Sequence, residues 1–257
     1  MKLQGKHVAV TGCNRGIGLS FVKGISRKKS HLILINRNFD EKLENELLSL
    51  GALSVKTITC DLSNQDQLTT LVEQLKSIQI DILFNNAGIL TGGLLEMQSW
   101  QDIEKMLSVN INALIRLSHA VLPQMLNKKQ GKIINHGSVS SIMHFPCAST
   151  YSAAKAAVWA FTDCLEQELK NTGVSTLCLL TPGIQTRMFN QIQDLYSKNL
   201  EVPTESISPD EYAVRIIQAI ELNKAVLWPN GKTGVGLFVA QHFRSAFNWS
   251  TQKLFNR

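Results

Sequence analysis

A tyrosine and a lysine four residues apart form the first candidate for chemistry in this sequence. Tyr151 and Lys155 lie in the segment YSAAK, and on a helix residues four apart point to the same side, one turn from each other. A phenol with an ordinary pKa of about 10 is a poor base at neutral pH, whereas a nearby ammonium favours the phenolate. The spacing is therefore compatible with acid/base work by Tyr151, whose pKa Lys155 would lower, although YxxxK by itself also occurs by chance in many proteins.

Further polar residues follow the ends of strand-like segments. Ser138 comes shortly after Gly131–Asn135 (GKIIN), and its hydroxyl could hold a substrate oxygen. The segment NNAG at residues 85–88 closes another strand, and Asn110 lies in the next helical segment. Because sites of α/β proteins form at the carboxyl ends of parallel strands, these residues are expected near Tyr151.

A glycine-rich turn follows the first strand-like segment, HVAVT. Gly12, Gly16 and Gly18 stand in GCNRGIG and lead into a helical segment. Spacings of four and two let the backbone turn tightly and approach a pyrophosphate, whose charge would face the N–H groups of a helix N-terminus. The position after the first strand indicates nucleotide binding, and a purely geometric role for the glycines is the alternative.

The second strand-like segment ends without the acid that would hold the ribose of NAD. Asn36, Arg37 and Asn38 stand there, about 20 residues past the glycines. Asn36 leaves room for a 2′-phosphate, to which Arg37 and Arg15 could donate charge-assisted hydrogen bonds. These residues favour NADP over NAD, unless both arginines are simply solvated surface charges.

Strand-like and helix-like segments alternate along the chain. Short apolar runs predict buried strands at His7–Thr11, His31–Asn36, residues 55–60 and 80–85, Gly131–Asn135 and residues 174–180. Segments with apolar residues at helical spacing lie between them. The alternation predicts an α/β fold with a Rossmann-type, doubly wound parallel sheet and helices on both faces. Without a long linker or repeat, residues 1–257 are expected to form one domain, in which the irregular segment 187–209 is either a lid over a pocket or a plain surface excursion.

Composition excludes several classes of protein. The 257 residues are 44% hydrophobic and carry 26 Lys and Arg against 20 Asp and Glu, a net charge of +6, which is unlike a disordered or fibrous chain. The five cysteines are odd in number and far apart, so we expect a reducing, cytoplasmic location and no bound metal. The basic residues are scattered, which indicates no nucleic-acid partner, and no segment resembles a membrane span or a secretion signal.

Taken together, the motifs resemble the classical short-chain dehydrogenase/reductase (SDR) family. The resemblance runs from about residue 7 to residue 186 and covers TGxxxGxG, NNAG, Asn110, Ser138, YxxxK and the PGIQT segment at 182–186. It implies an enzyme that transfers a hydride between a nicotinamide cofactor and a carbonyl or secondary alcohol. The residues His136-Gly137 and Ser140-Ser141 depart from the usual pattern around the catalytic serine, which leaves the shape of that loop open.

The resemblance also implies a role for each matching residue. Tyr151 would exchange the proton with the substrate oxygen and Ser138 would orient that oxygen. Lys155 would bind the nicotinamide ribose and lower the Tyr151 pKa, while Asn110 would hold a water behind Lys155. The cofactor-binding residues expected from the turn and the resemblance are Gly12, Asn14, Arg15, Gly16, Ile17, Gly18, Asn36, Arg37, Asp61, Leu62, Asn86, Ala87, Gly88, Tyr151, Lys155, Pro182, Gly183, Ile184 and Thr186.

The C-terminal tail at 230–257 is rich in aromatic residues. Val235, Val239, Phe243 and Phe247 recur every four residues with basic residues among them, which predicts an amphipathic helix. Three uses are open: packing on its own domain or a subunit partner, closing an apolar pocket, or peripheral contact with an anionic membrane. The tail resembles family members that act on steroids, retinoids or lipid-derived carbonyls.

These observations lead to one main hypothesis and several alternatives. The main hypothesis is an NADP(H)-dependent carbonyl reductase of bulky apolar substrates, present as a homodimer or homotetramer. A 3-oxoacyl thioester reductase and a nucleotide-binding module without catalysis are the alternatives. An enoyl reductase is disfavoured because those relatives have a Tyr-to-Lys spacing of seven. His144 lies between Ser138 and Tyr151 and is either a pocket residue or a structural one.

Overall fold

The computed structural model describes residues 1–38, 40–201 and 205–257. These residues build one seven-stranded sheet in the order β3-β2-β1-β4-β5-β6-β7, and each neighbouring pair is parallel. The strands are β1 His7–Thr11, β2 His31–Asn36, β3 Ser54–Thr59, β4 Ile82–Asn85, β5 Gly131–Asn135, β6 Val174–Leu179 and β7 Val226–Leu227. The predicted doubly wound parallel sheet is confirmed.

Helices cover both faces of the sheet. They are α1 Gly16–Ser26, α2 Glu41–Ser49, α3 Gln65–Ser77, α4 Trp100–Leu107, α5 Leu114–Asn127, α6 Ser149–Glu168, α7 Arg187–Tyr196, α8 Pro209–Glu221, α9 Gly231–His242 and α10 Arg244–Lys253. Their apolar stripes build two cores. One core packs Phe21 of α1 and Ile216 of α8 on the sheet, and the other packs Leu71 of α3, Val121 of α5 and Leu165 of α6.

Strand order places the candidate site. The chain winds outward from β1 to β3 on one side and from β4 to β7 on the other, so the direction reverses between β1 and β4. Ligands of open α/β sheets bind in the crevice at such a reversal, beyond the carboxyl ends of the strands. The glycine turn after β1 and the NNAG segment after β4 therefore meet at this crevice.

The structure corrects the prediction of one amphipathic helix in the tail. Phe243 has φ −128° and ψ 53°, which ends α9 at His242, and α10 begins at Arg244. Because the helix axis changes at Phe243, the four-residue spacing does not produce one continuous face. Phe247 is buried, whereas Val235 and Phe243 are exposed.

The candidate lid at 187–209 has mixed structure. Its first half is α7, and Ser208 caps α8, which Pro209 opens. Residues 202–204 of this segment lie outside the described residues. Within the described part of the chain, no helix combines the length and the apolar character needed to cross a membrane.

Candidate active site

The glycine turn after β1 needs its glycines for two physical reasons. Gly12 and Gly16 have φ of +66° and +56°, a region that L residues rarely adopt. A Cβ on Gly12 would lie 3.0 Å from the Cα of Ala87, and one on Gly18 would lie 2.5 Å from the carbonyl oxygen of Gly12. The turn is therefore packed against the NNAG segment so closely that side chains do not fit.

Asn36 holds the glycine turn from the end of β2. Its Oδ1 accepts the backbone N–H of Cys13 at 2.8 Å, and its Nδ2 lies 3.3 Å from the Cys13 sulfur. Both residues are buried. The sequence offered Asn36 only as a residue that leaves room for a phosphate, whereas the structure also gives it a positioning role.

Two arginines flank the same turn. Arg15 precedes α1 and Arg37 follows β2, and both are exposed. Neither forms a direct ion pair with another described residue. Burial acts to raise the pKa of Asp61, but hydrogen bonds from Ser63 and the positive charges of Lys105 and Arg37 hold it below its ordinary value. The crevice edge therefore carries positive charge.

The NNAG segment is tied to the glycine turn by hydrogen bonds. Asn86 Nδ2 donates to the carbonyl oxygens of Thr11 at 2.9 Å and Gly12 at 2.8 Å. Thr11 Oγ1 accepts the backbone N–H groups of Asn86 and Ala87, each at 2.9 Å. Because Asn86 Nδ2 is fully used, its Oδ1 faces His136 Nδ1 at 3.1 Å as an acceptor.

The segment 182–186 meets the turn from the other side. A Cβ on Gly16 would lie 3.2 Å from the methyl of Thr186. Thr186 also caps α7 by accepting the N–H of Phe189, and Ile184 is buried. This segment therefore lies beside the glycine turn, and its expected contacts with a cofactor stay a prediction.

Lys155 is buried at the centre of the site. Its Nζ donates to the carbonyl oxygen of His136 at 2.6 Å, and burial lowers its pKa to about 8. A Cβ on Gly88 would lie 4.0 Å from Lys155 Nζ and 3.5 Å from Asn110 Oδ1. Lys155 and Asn110 thus lie on the same side of Gly88. Burial and the Lys155 charge lower the pKa of His136 to about 3, so its imidazole is neutral.

Asn110 lies in a π-helical turn, Ser108–Ala113, between α4 and α5. Its side chain binds the backbone of Ile89 at both ends, with Nδ2 donating to the carbonyl and Oδ1 accepting the N–H, each at 2.8 Å. Such π-helical turns are frequent at functional sites. The predicted water at Asn110 stays a prediction, while the bond to Ile89 fixes the loop after NNAG.

Ser138 lies close enough to Tyr151 for its hydroxyl to act on the Tyr151 pKa. The expectation of a lowered Tyr151 pKa is wrong for this structure, because burial raises the pKa to about 12 and the Ser138 hydrogen bond only opposes that rise. Lys155 Nζ lies 5.7 Å from the centre of the Tyr151 ring. Its hydrogen bond goes to His136 rather than to the phenol, which explains why burial prevails.

Sequence reasoning missed Tyr196, at the end of α7. Its hydroxyl donates to the carbonyl oxygen of Thr91 at 3.1 Å, and a Cβ on Gly92 would overlap its ring. Burial and the neighbouring Tyr151 raise the pKa of Tyr196. Around Tyr196 lies an apolar cluster of Leu90, Leu94, Phe145, Cys147, Ala148, Ile192, Leu200 and Phe255. Only the three-dimensional fold brings these residues together and places Tyr196 near Tyr151.

His144 has contacts of a structural kind. Its Nε2 lies 3.4 Å from the carbonyl oxygen of Ser141, and its Nδ1 lies 3.2 Å from an Arg244 nitrogen of the tail. Both ring nitrogens are therefore engaged by the protein. The structural alternative for His144 fits these contacts.

Comparisons with known proteins agree with this geometry. The family model described as short chain dehydrogenase matches residues 6–196. An uncharacterized oxidoreductase of Staphylococcus saprophyticus is 30% identical over 89% of this chain and 99% of its own length. A fatty acyl-CoA reductase of Acinetobacter baylyi is 31% identical over 85% of this chain and 74% of its own length. The solved structure of a short-chain dehydrogenase from Sphingobium yanoikuyae in complex with NADPH has a TM-score of 0.82 and 25% identity and covers 97% of this chain and 94% of that one.

Proposed function

The chain belongs to the short-chain dehydrogenase family of oxidoreductases, and we propose that it uses NADP(H) to reduce the carbonyl group of a bulky apolar substrate. The observation that carries this proposal is the half-buried Tyr151 between the buried Ser138, whose hydroxyl acts on the Tyr151 pKa, and the buried Lys155, whose Nζ lies 5.7 Å from the centre of the Tyr151 ring. A proton donor, an oxygen-binding hydroxyl and a cation then lie together at the edge of an apolar cluster.

The crevice at the reversal of strand order fits a dinucleotide. The glycine turn leaves no room for side chains, and α1 begins there, so its free N–H groups favour a pyrophosphate. Arg15 and Arg37 are exposed and free of ion pairs with described residues, which supports binding of a 2′-phosphate and hence NADP(H). When bound, the nicotinamide supplies the hydride.

Tyr151 and Ser138 supply the proton and the oxygen site. A pKa of about 12 keeps Tyr151 protonated at neutral pH, so the phenol can donate to an oxygen on which negative charge develops. Ser138 Oγ accepts the N–H of Ser140 at 3.1 Å, which leaves its own proton for Tyr151 or for the substrate oxygen. A protonated tyrosine suits the direction of reduction.

Apolar side chains beside Tyr151 support a bulky apolar substrate. The cluster around Tyr196 joins the loop after β4, α7 and the chain end. A fatty acyl thioester, or a 3-oxoacyl thioester, is the second candidate, because the relative from Acinetobacter baylyi is named a fatty acyl-CoA reductase. A module without catalysis is less well supported, since Lys155 lies near both Asn110 and Tyr151, and Tyr151 lies near Ser138.

We further propose a cytoplasmic homodimer or homotetramer. The five cysteines are all free thiols and form no disulfide, which supports a reducing compartment. We propose the homodimer or homotetramer because members of the family typically form oligomers.

The proposed function is tested by titrating the purified protein with NADPH and NADH and then measuring cofactor oxidation with steroid, retinal, aliphatic aldehyde and acyl thioester substrates. We expect tighter binding of NADPH and turnover on an apolar carbonyl. Tyr151→Phe should lower turnover by about 10²- to 10⁴-fold with NADPH affinity nearly unchanged. Tyr212→Phe, which changes another buried tyrosine that bonds Thr181, is the control. Full turnover in Tyr151→Phe would remove this residue as the proton donor.

A further inference from the structure

The two C-terminal helices expose large apolar residues. Val235, Phe238 and Phe243 are 65%, 57% and 59% exposed, and Trp249 of α10 is 61% exposed. Val235 and Phe238 lie one turn apart on α9, and the Phe238 ring lies 6.4 Å from the Phe243 ring. We call these exposed side chains of α9 and α10, with Phe243 between the helices and with Lys232 and Lys253, the tail surface.

The tail packs on its own domain through other side chains than those of the tail surface. The inner side of α9 is closed by Leu237 and Ala240, which are buried. Phe247 of α10 packs edge-on against Phe145 at 5.6 Å between ring centres. Leaving several large apolar side chains in water on the opposite side costs solubility, which marks such patches as interaction sites.

The side-chain charges of the C-terminal segment that carries the tail surface have one sign. Residues 222–257 contain Lys224, Lys232, Arg244, Lys253 and Arg257 and no Asp or Glu, so they hold five positive charges in a chain whose net charge is +6. Arg257 pairs with Glu96. The other four form no ion pair with the described residues. The partner of this surface is therefore expected to be anionic.

A lysine and a tryptophan side chain lie next to each other on α10, a combination that is favoured at lipid interfaces. Lys253 Nζ lies 3.5 Å from the centre of the Trp249 ring. The ammonium and the indole therefore form a cation–π contact. Aromatic and basic side chains favour the boundary between lipid headgroups and acyl chains. From this combination we propose that the tail surface docks on an anionic lipid bilayer.

The other occupants fit these residues less well. A second copy of the chain would bring identical positive charges face to face, which opposes association. A nucleic acid would neutralise the charges but would leave Val235 and much of Phe238 facing a polar backbone. A bilayer with anionic headgroups satisfies both features, because the apolar side chains enter the acyl boundary while the lysines meet the headgroups. This inference does not depend on the proposed activity.

Flotation of the full chain with lipid vesicles tests the proposal. We expect binding to vesicles of phosphatidylcholine mixed with phosphatidylglycerol, loss of binding at high salt, and little binding to phosphatidylcholine alone. Lys232→Gln with Lys253→Gln should weaken the partition coefficient by roughly 25-fold, about fivefold per charge. Phe238→Ser with Phe243→Ser should weaken binding as well, and both changes are at exposed positions that the core does not use.

Matched controls separate the tail surface from general stickiness. Trp100→Ser alters an exposed aromatic residue elsewhere, and Lys128→Gln alters an exposed lysine elsewhere. Both variants should bind the mixed vesicles as the unchanged protein does. The proposal is overturned if the controls lose binding equally, if mixed vesicles are not bound, or if the tail surface instead drives self-association in sedimentation or retention on duplex DNA without vesicle binding.

Discussion

Lys155 shows how burial and charge compete at the residue scale. The ammonium is removed from water and holds one hydrogen bond, to the carbonyl oxygen of His136, so its pKa falls to about 8. The Tyr151 side chain is half-buried, and the loss of water around its phenol raises its pKa to about 12. Both shifts favour the neutral form of the group, as burial does in general. At neutral pH the site still holds a protonated phenol and a largely charged lysine.

A pH dependence follows from these two values. Lys155 is charged below pH 8 and neutral above it, whereas Tyr151 keeps its proton until about pH 12. We expect kcat/KM for carbonyl reduction to fall above about pH 8 because the site loses its cation. The measurement is a pH profile of kcat/KM with cofactor at saturation. A profile that stays flat up to the ordinary lysine pKa of 10.5 would contradict a role for the Lys155 charge.

Arg37 offers a second prediction at the residue scale. Arg37→Asp should weaken the binding of NADPH by roughly 10- to 100-fold, because one charge-assisted hydrogen bond is lost. The binding of NADH should be weakened much less. Fluorescence titration with each cofactor measures the two affinities. Arg27→Asp is the matched control, because Arg27 is exposed at the far end of α1. Equal losses for NADPH and NADH would place Arg37 outside the 2′-phosphate site.

The residues that carry chemistry were predictable from local spacing, but several of their partners were not. YxxxK predicted that Tyr151 and Lys155 share one side of a helix, and α6 contains both. The Asn36 bond to Cys13 and the Asn86 bond to His136 join residues 23 and 50 positions apart. Such pairs depend on which strands become neighbours in the sheet. A local sequence pattern does not predict that arrangement.

At the scale of elements, buried strands were the most predictable part. The bounds of β1, β2 and β5 agree with the apolar runs, and β3, β4 and β6 differ by one or two residues. A central parallel strand is covered on both faces, so its sequence is a continuous apolar run. The two-residue strand β7 and the π-helical turn at Asn110 carry no comparable pattern, and the break at Phe243 interrupts a helical spacing that is otherwise regular.

Gly92 permits α7 to close on the site. An alanine there would overlap the Tyr196 ring, so Gly92→Ala should displace Tyr196 and the end of α7. We expect the free energy of unfolding to fall by about 1–3 kcal/mol, the usual cost of overpacking, and the KM for an apolar carbonyl to rise. Urea denaturation and steady-state kinetics measure the two effects.

A double variant identifies the cause of the Gly92→Ala effect. In a Tyr196→Ala background the overlapping ring is absent, so Gly92→Ala should cost little further stability. Two neighbouring changes that share one contact are expected to be non-additive in this way. Fully additive losses would show that Gly92 acts through its own backbone rather than through Tyr196.

At the scale of the whole molecule, the chain end connects the tail to α7. After α10 the chain returns to residues 199–201, where the Leu254 carbonyl accepts the N–H of Glu201 at 3.1 Å and Asn256 N–H donates to the Asn199 carbonyl at 2.8 Å. Arg257 reaches Glu96 at 2.7 Å. A tail that rests on lipid would therefore be joined directly to the helix that covers the candidate site.

Phe255 tests this connection, because it belongs to the apolar cluster around Tyr196. Phe255→Ala should lower stability by about 1–2 kcal/mol, less than for a fully buried phenylalanine, and should speed amide exchange in α7 while β1 and β4 stay protected. Phe238→Ala makes the same chemical change on the exposed side of α9 and should leave the exchange of α7 unchanged. Hydrogen exchange read by mass spectrometry distinguishes the cases: equal acceleration in both variants, or loss of protection in the central strands, would show that the chain end does not hold α7 in particular.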